Sequence, residues 1–95
     1  VLITHGPPHG IRDFVNGHFG PNSVGCELLR YRIEQVKPVL NIFGHIHEAY
    51  GAAYIKDTFY VNASICTERY VPSNKPIIID LIEIEGILTP IFIDE

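Results

Sequence analysis

Residues 39–51 read VLNIFGHIHEAYG. An apolar run stops at Gly44, and imidazoles follow at once at His45 and His47. A short run of this kind, closed by a turn residue, reads as a buried strand. Glycine lets the backbone turn sharply, so the two rings can address neighbouring points just beyond the strand's carboxyl end. A helix precedes the run. Cys26, Leu29, Ile33 and Val36 recur at spacings of three and four, which makes one apolar stripe. Asn22 or Ser23 supplies its cap, Glu27 lies in the first turn, Lys37 lies in the last, and Pro38 ends it.

In front of that helix stands VLIT (1–4), a second short strand with His5 directly after it. Strand, helix, strand in this order predicts an α/β crossover. In open α/β sheets ligands bind in the crevice beyond the carboxyl ends of the strands. If the two strands are parallel neighbours, His5, His45 and His47 gather at one end of the sheet. Neutral imidazole is the commonest side-chain ligand for metals, which makes these three the candidate metal ligands.

The other segments read more simply. HGPPHG (5–10) is a loop stiffened by consecutive prolines, and residues 11–22, with NGHFGPN, read as exposed turn chemistry. His9 and His18 are expected to be solvated there. After residue 50 the pattern turns strand-like in AAYIKD, TFYVNAS and PIIIDLIEIE, with a hairpin turn over Lys56, Asp57 and Thr58. LTPIFI makes a last strand, placed at an edge by Pro90. Tyr50 and Tyr54 read as packing aromatics, although either ring could stack on a base.

Ninety-five residues, 46% of them hydrophobic, are enough for one small domain with a modest core. The formal charge of −4 argues against a duplex-DNA binder, which would carry a clustered basic face. No run approaches the roughly 18 apolar residues of a membrane span, and no basic-then-apolar leader opens the chain. Cys26 and Cys66 lack metal-pair spacing and read as small buried apolar groups, reduced as in an intracellular, cytoplasmic protein; a single bridge between them stays open. With no methionine and an apolar opening at Val1, the chain reads as a fragment or a processed product.

THGPPHG, then VLNIFGHIHEAYG some forty residues on, then FYVNAS, together resemble the C-terminal part of a calcineurin-like metallophosphoesterase. The similarity is nearest to the metallophosphoesterase-domain-containing branch, and it extends over the helix VGCELLRYRIEQVKP and the later NKPIIIDL. The resemblance implies an α/β fold, here the C-terminal portion of a two-sheet α/β/β/α sandwich whose N-terminal part lies upstream of residues 1–95. It also implies two divalent metal ions, drawn from Mn, Fe, Zn, Ni and Co. His5 and His45 would bind one ion and His47 the other. Glu48 and Asn62 are candidates to fix the histidine tautomers from behind; the alternatives are a solvated acid at Glu48 and, the favoured reading, a turn-forming side chain between strand and loop at Asn62.

By the same resemblance the substrate is a phosphoester or nucleotide, more narrowly a phosphodiester, with cyclic nucleotides in that class. The family's Asp-x-His, Gly-Asp and Gly-Asn-His motifs do not occur in these residues. The catalytic and bridging groups are therefore expected upstream, and none is assigned within this chain. Three neutral imidazoles cannot balance two divalent cations, so carboxylates must come from elsewhere; Asp13 matches no ligand position. By itself the chain is expected to be inactive and to bind metal weakly. Two rival readings are a non-catalytic nucleotide- or partner-binding module that keeps the fold, and a single-metal site made of His5, His45 and His47.

Overall fold

The computed structural model describes residues 1–17 and 20–93, so the expectation for His18 lies outside the described residues. Four strands form the central sheet: β1 (Leu2–Ile3), β4 (Leu40–Phe43), β5 (Gly51–Ile55) and β6 (Thr58–Asn62). Their order is β1-β4-β6-β5, with β1, β4 and β6 parallel and β5 antiparallel to β6. The carboxyl ends of β1, β4 and β6 therefore share one side of the sheet. Between β1 and β4 lie a hairpin, β2 (Phe14–Gly17) with β3 (Gly20–Ser23), and the helix α1 (Glu27–Val36). A second hairpin, β7 (Ile78–Ile84) with β8 (Ile87–Ile93), follows the sheet. This is a mixed α/β architecture, as the strand–helix–strand pattern requires.

The pairing register sorts the side chains. Leu2 opposes Asn41, Asn41 opposes Tyr60 and Phe43 opposes Asn62, and residues two apart on a strand share a face. Leu2, Asn41, Phe43, Tyr60 and Asn62 thus line the face that meets α1. The core there is Ile11, Ile33, Phe43 and Tyr60, with Leu2, Leu29 and Ile55 packed around it. The opposite face meets the β7–β8 hairpin through Phe59 and Phe92, ring centroids 5.7 Å apart.

Several details differ from the sequence-based expectations. Residues 14–17 and 20–23 are paired strands instead of a loose turn region. Because Ser23 ends β3, neither it nor Asn22 caps the helix; the cap is Cys26, whose Sγ accepts from the Leu29 N–H at 3.4 Å. That role keeps Cys26 exposed, while Cys66 is half-buried, and both thiols are free. Lys37 lies just past the last turn, in the left-handed conformation at φ 55°, before Pro38. Val36 is 58% exposed, so only Ile33 of the predicted stripe is fully buried. His9 is half-buried, its amide donating to Cys26 O.

The β5–β6 turn falls where it was expected. Lys56 and Asp57 have φ of 48° and 70° between paired Ile55 and Thr58, the positive-φ pair of a two-residue hairpin loop. On β7 and β8 the residues Ile78, Ile82, Ile84, Ile87, Ile91 and Ile93 share one face by register, and all are exposed. An isolated two-stranded hairpin is marginal in water, so its contact through Phe92 is what holds it to the sheet.

Ile33 is 1% exposed and is the helix's main anchor. Ile33→Ala is expected to cost about 2–5 kcal/mol, read as a lowered denaturant midpoint; a midpoint within error of the parent would show that α1 is not fixed by this contact.

Candidate metal centre

Beyond the ends of β1 and β4 the ladder continues for one more step. The Thr4 amide donates to Ile42 O at 3.0 Å, and the Gly44 amide donates to His5 O at 3.1 Å. This pairing places His5 beside His45, and their rings stand 4.6 Å apart at 41°. His45 reaches that position through a strained backbone. Its φ is 69°, and the Ile46 amide donates back to Gly44 O at 2.7 Å, closing a three-residue turn of the γ type around His45. Positive φ in a residue with a bulky side chain costs on the order of 1–3 kcal/mol and persists only where neighbours enforce it.

His47 opens a 3₁₀ turn, His47–Ala49, and points elsewhere. Its Nδ1 lies 3.1 Å from Thr67 O, and its ring meets Tyr70 edge-on at 5.3 Å. A carbonyl oxygen only accepts, so this bond assigns the proton to Nδ1 and leaves the lone pair on Nε2. That is the tautomer a ligating histidine needs, held by the carbonyl partner that metal-binding histidines usually have. His45 borders a hollow of about 350 Å³ that includes Thr4 and Cys26, whereas His47 borders another of about 320 Å³ with Glu48 and Glu68. The structure therefore brings His5 and His45 together and turns His47 to a different hollow. Among the described residues, no three His, Cys, Asp or Glu side chains are close enough to hold an ion by themselves.

Asn62 holds the loop that carries these rings. It is 0% exposed at the end of β6. Its Nδ2 donates to Ile46 O at 2.8 Å and to Arg12 O at 3.1 Å, while its Oδ1 accepts from the Ser64 amide at 3.1 Å. All its strong polar valences point at backbone, so it acts on the loop and not on a ring. Asp13 is likewise buried, its Oδ2 accepting from the Gly10 and Gly25 amides at 2.8 Å each. It ties the segment after His5 to the start of α1. Tyr50 donates its hydroxyl to Lys75 O at 2.6 Å, and Tyr54 lies against Phe59 at 4.4 Å, so both serve packing.

No protein-family model matches the chain. Over 82 residues it is 52% identical to the metallophosphoesterase domain-containing protein 1 of Homo sapiens and to that of Mus musculus. It is 39% identical over 82 residues to a UPF0046 protein of Caenorhabditis elegans. The chain belongs to the metallophosphoesterase-domain-containing branch. These alignments cover 85% of this chain, but it spans only 24% of the length of the human and mouse relatives and 20% of the worm protein. Within this branch member, His5, Gly44, His45 and His47 stand at one end of a partly parallel sheet, and Arg12 and Asn62 brace the loop between them. Sequence reading overlooked Arg12; its signal was a lone cation beside Asp13, between apolar neighbours, in the stretch GIRDFV. No helix among the described residues is long and apolar enough to cross a membrane.

Two stability measurements follow from this geometry. Asn62→Asp sets a carboxylate against two carbonyl oxygens and is expected to cost on the order of 3 kcal/mol or more; an unchanged denaturant midpoint would show that the brace contributes nothing. His45→Gly removes the positive-φ penalty and is expected to leave the midpoint equal or higher, while His47→Gly lowers it.

Proposed function

We propose that this chain supplies the histidine face of a dimetal phosphoesterase, one that hydrolyses a P–O bond of a phosphodiester, with cyclic nucleotides in its substrate class. In this reading the sheet, helix and hairpin are the C-terminal portion of a two-sheet α/β/β/α sandwich. The upstream portion of the same domain provides the carboxylates that three imidazoles cannot replace. His5 and His45 hold one divalent ion and His47 the other.

The observation that carries the proposal is the treatment of the rings. His5 and His45 are in contact beyond adjacent parallel strands, and His47 is held with its Nε2 lone pair free by Thr67 O. A purely structural histidine has no need of a strained turn to bring it beside another imidazole. The donor set, neutral nitrogen throughout, suits Zn, Fe, Ni, Co and Mn in varying degree.

When bound, such an ion pair supplies Lewis-acid polarisation of the phosphoryl group and lowers the pKa of water at the site. The chain's own part is orientation. Thr67 O and Tyr70 fix the His47 ring and its tautomer. The Gly44–His5 backbone bond fixes the separation of the other two rings. Glu48, beside His47 in the same hollow, is placed to accept a hydrogen bond from a water or a substrate hydroxyl there.

The test is elemental analysis together with bis-p-nitrophenyl phosphate hydrolysis, on this chain and on the chain lengthened with its native upstream residues. Two ions per chain and turnover in the longer form, with one ion lost in His47→Ala, is the expected result. No metal pair in the longer form would overturn the proposal; nucleotide binding without ions or hydrolysis would favour a non-catalytic module.

A further inference from the structure

We infer that Arg12 is a positioning residue that sets where His47 stands, its guanidinium lying in the space beside Gly51. The inference rests on the metal reading above for its consequence, though not for its geometry. Arg12 follows the His5 loop in sequence, yet its guanidinium reaches the far end of the turn opened by His47. Nε donates to Ala49 O at 3.1 Å, and Nη2 donates to Tyr50 O. Those carbonyls lie at the end of the 3₁₀ turn, where no further turn of helix pairs them.

The backbone from which the guanidinium extends is itself held on both sides. The Arg12 carbonyl accepts from Asn62 Nδ2, the atom that also holds Ile46 O. Its neighbour Asp13 is anchored by the Gly10 and Gly25 amides, which fixes the base from which the side chain extends. At Gly51, φ is 134°, and a Cβ there would overlap Nη2 and lie 2.9 Å from Cζ of Arg12. A side chain at 51 would be strained by that φ and would also have to displace the guanidinium.

Arg12 thus joins the loop after β1 to the turn after β4. The two loops carry His5 on one side and His47 on the other, so the fork governs the spacing between the proposed ligand groups. A lysine keeps the charge but cannot present two donors in a fixed plane.

The experiment uses the full-length protein with Arg12→Lys, Arg12→Gln and Gly51→Ala, each compared with the parent well below its melting temperature. The first readout is metal-free: the His47 Nδ1–H resonance, which the Thr67 bond shelters from exchange in the parent. It is expected to broaden or vanish in all three variants while the circular dichroism spectrum is unchanged. The second readout is titration with Co²⁺ or Zn²⁺, where affinity at the His47 site is expected to fall about 10–100-fold, with the His5–His45 site affected less. A residue that merely stabilised the fold would lower the melting temperature and leave both readouts alone. A sheltered His47 proton in the two Arg12 variants overturns the inference, whether or not metal binds. Failure of the parent to take up metal overturns the metal reading instead, and the His47 proton still decides the role of Arg12.

Discussion

A single amide side chain, that of Asn62, ties together the two loops that carry His5, His45 and His47. It ends β6, between the sheet and the core, and donates to carbonyls in two different loops. One is the segment that follows His5, and the other carries His45 and His47. Water is excluded there, so each unmade bond would leave a polar group unsatisfied at a cost of roughly 1–3 kcal/mol. The two loops must therefore settle together. Arg12 adds a second link between the same loops, through its guanidinium on the 3₁₀ turn.

The brace makes strain at His45 affordable. A positive φ in a three-residue turn would relax in a free loop, but here Gly44 is bonded to His5 on one side and Ile46 to Asn62 on the other. The result is two imidazoles in contact beyond the ends of neighbouring parallel strands. His47, two residues on, is held differently, by a carbonyl that fixes its tautomer. The two loops thus present two kinds of imidazole, exposed at His5 and His45 and half-buried at His47, with His45 and His47 bordering separate hollows. The proposed assignment, His5 and His45 to one ion and His47 to the other, is drawn from this separation of His47 from the contacting pair.

Much of this was legible in the sequence because it rests on local signals. The runs ending at Thr4 and Phe43 were recognisable as strands, Pro38 marked the end of the helix, and the Gly44 turn was visible before the histidines. What escaped was set by tertiary pairing. Asn22 and Ser23 have good capping side chains, but β3 takes their backbone, and Cys26 caps the helix in their place. Arg12 reads as an ordinary loop cation until Gly51 and Tyr50, nearly forty residues away, are known to lie against it. Asn62 read first as a turn-forming side chain, which its bond to the Ser64 amide bears out, and second as a support for the ligands. Its actual work, bonding only backbone, depends on a register between β4 and β6 that no local pattern encodes.

The most direct measurement of the central claim is anomalous diffraction from the full-length protein soaked in a Mn²⁺ or Zn²⁺ solution. The account predicts two peaks at this end of the sheet, one within bonding distance of His5 and His45 and the other at Nε2 of His47, with the Asn62 bonds to both loops intact. A single peak bound by all three imidazoles, or no peak beside any of them, would contradict it.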